Sequence, residues 1–395
     1  MASAEHAAEH GGSLPHGLPH VSDATLRDSA HMAGVEFGPK DAAVIADLLV
    51  KTGVDLVEVG MVSGPGSKDA DLVLAAHEAV GPERSMTLVV VQDRQQVARA
   101  LDEAERLGVR HIMYSIPTSE QHARLKLGTP SAKYLHVLAR SAISQAKERG
   151  FHVTFSGEDG ARTPRGRLVP YVTAGFEAGA DRFRLAETVA YLSPWQMEEV
   201  VADLTAIDGS EIEIHSHNML GMAVANSLAA VRAGARWVSA TVGGIGERGG
   251  NAPLAELLTS LRVIHGDTRF DLTHLTGLSR AALRGAGLGG AFQSGPTTPH
   301  SFAYELPGQL THPEAYETLP AELVGNTREL SVRTRLTPAL VTWALAESGV
   351  VVDVDVEAFT PWLVERQERG GRPLLDRDAI RKAAVDFRSA GLPSA

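Results

Sequence analysis

The sequence predicts an α/β protein, a closed (β/α)8 TIM barrel followed by a small C-terminal helical subdomain. Three observations predict it. Short β-rich runs alternate with longer amphipathic helical runs from residue 21 to about residue 268. Eight such strands over roughly 245 residues match a barrel of this kind in number and length. No Gly-x-Gly-x-x-Gly follows the first strand, as the rival doubly wound sheet would usually carry.

The strands read in order as VSDATLRD (21–28), VDLVEVGM (54–61), SMTLVVV (85–91), VRHIMYSI (109–116), HVTFSGED (152–159), DRFRLAET (181–188), EIEIHSHN (211–218) and WVSATVGG (237–244). Between them, PKDAAVIADLLVKTG, QQVARALDEAERLG and MAVANSLAAVRAGA repeat apolar residues at three and four, the spacing of one helix face. ERLG before VRH and KERG before FHV end in the glycine expected of a helix C-terminal cap. Residues 1–20 are small, polar and punctuated by Gly and Pro, and are expected to be a disordered leader; its His6, His10, His16 and His20 are read as part of that leader and not as a metal site. The barrel domain is assigned to 21–268 and a Gly/Pro-rich linker to 269–312. Residues 313–395 form the helical subdomain, with PALVTWALAES, EAFTPWLVERQERG and DRDAIRKAAVDFRSA among its helices.

Composition narrows the function classes. A net charge of −11 argues against a nucleic-acid partner, which calls for a basic face. No apolar run approaches the roughly 20 residues that span a bilayer, and no basic-then-apolar start marks a secretory signal. With no cysteine, a metal must be held by nitrogen and oxygen, and a cytoplasmic setting is expected.

The chemistry concentrates at the strand ends. Residues i and i+2 of a strand share a face, so His215 and His217 project together at the C-terminal end of the seventh strand, where barrel enzymes place their sites. Barrel closure sets the first strand beside the eighth and the eighth beside the seventh. Asp23 and Asp28 of DATLRD, and Glu247 and Asn251 of GGIGERGGNAPL, therefore converge on the same sector of the rim. Such an oxygen and nitrogen set suits Mg²⁺, Mn²⁺ or Co²⁺ with open positions, or a catalytic Zn²⁺. Open positions allow a 2-keto acid to chelate the ion. Arg27, next to Asp28, is placed to meet charge building on an enolate or carbonyl oxygen.

DATLRD, HSHN and GIGERGGNAPL together resemble the signature of the metal-dependent TIM-barrel synthases and lyases: homocitrate, isopropylmalate and citramalate synthases, hydroxymethylglutaryl-CoA lyase and 4-hydroxy-2-oxovalerate aldolases. SGEDGAR, AETV, TSEQHARLKL and PEAYETLPAELVGNTREL resemble the homocitrate-type branch. The resemblance implies that Asp28, His215, His217 and Asn251 ligate the divalent ion. It implies that Arg27 stabilises the enolate, that Glu158 is an acid/base carboxylate, and that Ser156 and Thr188 hold the keto acid's carboxylate. The implied reaction is a Claisen-type condensation of acetyl-CoA with a 2-keto acid, released by thioester hydrolysis, in a homodimer.

The chain departs from that pattern in places. HSFAYELPGQLTH stands where the synthases carry an HxSGIH-like segment whose histidine reaches the partner's site, and SVRTRLTP replaces a KHSGR-type segment. RDSAH places His31 where the synthases keep Gln, and the pyruvate aldolases have a histidine there as acid/base. His31 is therefore the expected substitute base, with Tyr304 and His300 as weaker candidates. A metal-dependent aldolase or lyase acting through a pyruvate-type enolate stays open as the alternative, and so does a barrel serving only as a binding partner.

Overall fold

The computed structural model describes residues 14–288, 303–304, 307–317, 328–330, 336–349, 354–369 and 377–390. Eight parallel strands close into a barrel in sequence order, β1 (His20–Asp23), β2 (Leu56–Val62), β3 (Ser85–Val90), β4 (His111–Pro117), β5 (His152–Glu158), β6 (Arg182–Glu187), β7 (Ile212–Ser216) and β8 (Trp237–Ala240). β1 pairs with both β2 and β8, which closes the ring. This is the TIM barrel that the alternation predicts.

Local chemistry explains the helices that wrap it. Helix Pro39–Thr52 opens with proline, whose missing N–H costs nothing there, and ends at Gly53 in the left-handed region. Its Ala42, Ile45, Ala46 and Leu49 are buried, the i, i+3, i+4, i+7 stripe of a helix seated on a sheet. Burying Ile45 or Leu49 stabilises by roughly 1.5–3 kcal/mol each. Helix Arg94–Arg106 is capped by Asp93, which accepts from the backbone N–H groups of Gln95 and Gln96. One continuous apolar core fills the space between strands and helices, and a smaller one built on Leu340, Phe359, Leu363 and Phe387 holds the C-terminal helices.

Three expectations need correction. The first strand was expected to run to Asp28, but it stops at Asp23. The Asp23 carboxylate accepts from Thr25 N–H and Thr25 Oγ1, both at 2.9 Å, and turns the chain into a helical turn Thr25–Asp28. The expected leader also ends earlier than residue 20: His20 is the first residue of β1 and stacks on Trp237 at 4.6 Å between ring centres. The stretch expected as linker includes helix Leu275–Gly285, which packs Leu278 and Ala282 into the barrel core. The helices Pro338–Glu347, Val356–Arg369 and Arg377–Ser389 coincide with the three C-terminal segments read as helical. Among the described residues no helix is long and apolar enough to cross a membrane.

Two irregularities shape the site. The β2–β3 register shifts between Glu58 and Met61, around Gly60 at φ 135°. That bulge puts Glu58 and Met61, three residues apart, both toward the interior instead of on opposite faces. From the C-terminal part, Tyr304 pairs with Met32, and residues 307–317 lie across the barrel mouth.

Candidate active site

A cavity of about 370 Å³ opens at the C-terminal end of the barrel. Its wall alternates along the strands as the pleat requires: Leu88 and Val90 from β3, Met113, Ser115 and Pro117 from β4, Ser156 and Glu158 from β5. Arg184, Ala186 and Thr188 follow from β6 and just beyond it, then His215 and His217. Arg27, Asp28 and His31 enter from the turn after β1. Of the residues singled out from the sequence, Arg27, Asp28, His31, Ser156, Glu158, Thr188, His215 and His217 all line this one cavity. Asn251 lies just behind them. His300 falls outside the described residues, as do His6 and His10.

Asp28, His215 and His217 are buried and offer ligand atoms that all lie within 4.8 Å of one another. Asp28 Oδ2 stands 3.8 Å from His215 Nε2 and 3.9 Å from His217 Nε2, and has no hydrogen-bond partner among the described residues. β7 ends at Ser216, so His217 is held differently from the expectation of one continuous strand. Its backbone bridges to Asn251, and its Nδ1 faces the carbonyls of Glu247 and Gly250, both at 3.2 Å. Carbonyls only accept, so Nδ1 carries the proton and Nε2 turns a lone pair inward. His215 Nδ1 contacts Ser239 Oγ at 3.0 Å, leaving its Nε2 inward as well. Burial pushes His215 well below the usual histidine range; burial and the neighbouring Arg248 lower His217 to about 4. Both rings are therefore neutral, the form that ligates a metal. Burial opposes the charge on Asp28, but Arg27 and then the two histidines hold its carboxyl well below the ordinary range. Asn251 Nδ2 lies 3.3 Å from His215 Nε2, and its Oδ1 is buried without a partner among the described residues. Exchanging the two ends of that amide presents an oxygen to the same centre. The donor set fits a divalent cation: one carboxylate oxygen, two imidazole nitrogens and an amide.

Asp23, which also entered the sequence reading as a rim carboxylate, is spent on its own turn. Glu247 is paired with Arg248 and Gln309 instead of facing the cluster.

A buried ionic lattice supports the centre. Arg27 Nε donates to Glu58 Oε2 at 2.6 Å while its Nη1 pairs with Asp28. Arg184 donates to Glu58 Oε1 at 2.5 Å and to Glu213 Oε1 at 2.8 Å. The charges alternate, so each buried guanidinium is neutralised from two sides. Glu58, Arg184 and Glu213 carried no signal in the sequence, because strand alternation says which side chains point inward and not which of them meet.

Glu158 sits in a second network. Its Oε1 meets His122 Nδ1 at 2.7 Å and its Oε2 accepts from Lys126 at 2.8 Å. Burial alone would raise its carboxyl, yet Lys126 and His122 hold it far below the ordinary range. Glu158 is accordingly a firm anion and a weak proton acceptor in this arrangement. Within TSEQHARLKL the one signal for His122 and Lys126 is their i, i+4 spacing, which in helix Glu120–Leu127 sets both on one face. Thr188 Oγ1 accepts from the Asp159 N–H at 2.9 Å, which leaves its own hydroxyl proton to donate. Arg248, at φ 53°, donates to the Thr188 carbonyl at 2.6 Å and to His217 Nε2 at 2.8 Å, so a cation held by His217 takes the lone pair that Arg248 uses here.

The chain is similar to several known proteins. The chain is 34% identical over 84% of its length to a 2-phosphonomethylmalate synthase of Streptomyces rubellomurinus, covering 88% of that protein. It is 31% identical over 91% of its length to a 2-isopropylmalate synthase of Caldanaerobacter subterraneus, covering 94% of it, and 34% identical over 85% to a homocitrate synthase of Methanopyrus kandleri, covering 84%. The fold superposes on the HMG-CoA lyase of Bacillus subtilis with a TM-score of 0.60 at 19% identity, over 70% of this chain and 96% of that one. A model of the HMGL-like family matches residues 19–281. With the family model over residues 19–281, these relatives and the closed barrel in agreement, the chain belongs to the HMGL-like family.

Proposed function

We propose that the protein catalyses a divalent-metal-dependent Claisen-type condensation of acetyl-CoA with a 2-keto acid. The observation that carries this reading is the buried Oδ2 of Asp28, without a hydrogen-bond partner among the described residues, facing the inward nitrogens of His215 and His217 in a cavity of small-molecule size. The relatives named as synthases of alkylmalates and homocitrate support it. Asp28, His215, His217 and Asn251 would hold the cation, which would supply Lewis-acid polarisation to a keto oxygen.

The chain's own groups divide the rest. Thr188, through its hydroxyl, and Ser156 hold the acceptor's carboxylate. Arg27, fixed by Glu58, presents a guanidinium to the oxygen of a developing enolate. Lys126 and Arg248 add positive charge at the cavity wall, while Leu88, Met113 and Met61 give it apolar surface. His31 is the candidate to take a methyl proton from the thioester, since Glu158 is held as a weak base. A homodimer belongs to the same proposal, and light scattering tests it.

The deciding experiment incubates the protein with Mn²⁺, acetyl-CoA and a panel of 2-keto acids, and follows free thiol. Keto-acid-dependent release of CoA, abolished by EDTA, is the expected result. His31 in the cavity wall favours a second reading, a carbon–carbon lyase forming a pyruvate-type enolate. No CoA release with any acceptor, together with pyruvate release from a hydroxy-keto acid, establishes the lyase in its place.

A further inference from the structure

Residues Pro307–Thr311 form a short helix that brings one polar side chain, Gln309, into the wall of the catalytic cavity. Gln309 is fully buried. Its amide orientation is decided by its neighbour: Nε2 donates to Glu247 Oε2, and a carboxylate can only accept, so Oε1 must face the other way. That oxygen has no hydrogen-bond partner among the described residues. A buried amide oxygen left without a donor is disfavoured and calls for an explanation.

The side chain is braced as well as buried. Glu247 is paired with Arg248, and Arg248 in turn donates to the Thr188 carbonyl and to His217 Nε2. Gln309 is thus tied through Glu247 and Arg248 to Thr188 in the wall of the same cavity. An acceptor of set direction stands in the wall of the cavity.

The reactants of the proposed condensation offer few donors to meet it. The keto acid's carboxylate and oxo group and the thioester carbonyl all accept. Two kinds of donor remain: the pantetheine amides of the CoA arm, and the water that cleaves the condensed thioester at the reacting carbon. We propose that Gln309 Oε1 accepts a hydrogen bond from this water and aims its oxygen at the thioester carbonyl; the assignment rests on the condensation proposed above. In the step, the water oxygen bonds to the carbonyl carbon and the carbon–sulfur bond breaks with its electron pair going to sulfur. One water proton ends on the thiolate and the other on the new carboxyl group, which ionises to solvent. Gln309 takes no proton and acts by orientation alone.

The test is a partition between two products. Wild type and Gln309→Leu are given Mn²⁺, acetyl-CoA and an accepted keto acid, quenched at intervals, and analysed by mass spectrometry for the condensed CoA thioester and the free acid. Wild type yields free acid and CoA without accumulating thioester. Gln309→Leu forms the new carbon–carbon bond but accumulates the thioester, with hydrolysis roughly 100-fold slower. Gln309→Met, closer to glutamine in shape, is read in the same way and guards against a variant that fails to fold. Hydrolysis at the wild-type rate in either soluble variant overturns the assignment. So does loss of condensation and hydrolysis in equal proportion, which marks a structural role, or a raised KM for acetyl-CoA with normal hydrolysis, which places a pantetheine amide there. If wild type forms no condensed product with any keto acid, the parent reading fails and this one falls with it.

Discussion

Glu58 holds two arginines at once from a fully buried position. Its Oε2 takes Arg27 Nε at 2.6 Å and its Oε1 takes Arg184 Nη1 at 2.5 Å. Two charge-assisted bonds at about 1.5–3 kcal/mol each set a gross scale of roughly 3–6 kcal/mol. Arg27 keeps Asp28 and Arg184 keeps Glu213 when Glu58 is removed, which places the loss in the lower half of that range. Glu58→Ala is therefore expected to destabilise the protein by about 3–4 kcal/mol, and Glu58→Gln, which keeps the shape and one acceptor, by about half as much. A second effect follows from the geometry. Deprived of Glu58, the Arg27 guanidinium has Asp28 as its remaining acidic partner and competes there with a cation, so affinity for Mn²⁺ falls. Urea unfolding followed by tryptophan fluorescence measures the first effect, and calorimetric titration with Mn²⁺ the second. A loss below about 1 kcal/mol at unchanged m-value would show that the lattice does not support the site and would refute the argument.

Three further outcomes are expected. Free Mn²⁺ at about 100 times its dissociation constant should raise unfolding stability by about 2.7 kcal/mol, reversed by EDTA; full retention of that gain in Asp28→Asn or His215→Ala would place the cation elsewhere. Burial is the main reason that Asp23 is raised from 3.8 to about 7, so the folded protein keeps a proton the unfolded chain has released. Its contribution to stability is present below about pH 4 and lost as pH rises through 7, by up to about 4 kcal/mol, and Asp23→Asn should remove that slope; urea midpoints for the two proteins that run parallel across this window would contradict it. Gly250 lies at φ 81° with the Gly244 carbonyl where a side chain would start, and its own carbonyl faces His217 Nδ1. Gly250→Ala should cost about 3 kcal/mol or more and weaken Mn²⁺ binding, and a variant with wild-type thermal stability and metal affinity would show that the loop after β8 is less constrained than its geometry requires.

The repeating alternation of strand and helix determined the barrel, because each strand's inward face and each helix's apolar stripe are written in local spacing. The same local rule pointed to His215 and His217 as a pair, but β7 stops at Ser216 and the loop after β8 holds His217 in place, and barrel closure drew Asp28 and Asn251 toward them. Local pattern misled where a side chain bonded its own backbone: Asp23 ends β1 through Thr25, so TLRD is helical although its residues alternate like a strand. Partners chosen across the barrel were decided by tertiary structure. Glu58 meets Arg184 across 126 positions and Gln309 meets Glu247 across 62. Periodicity records which way a side chain points, and only the closed ring, with the C-terminal segment laid over its mouth, determines what stands opposite it.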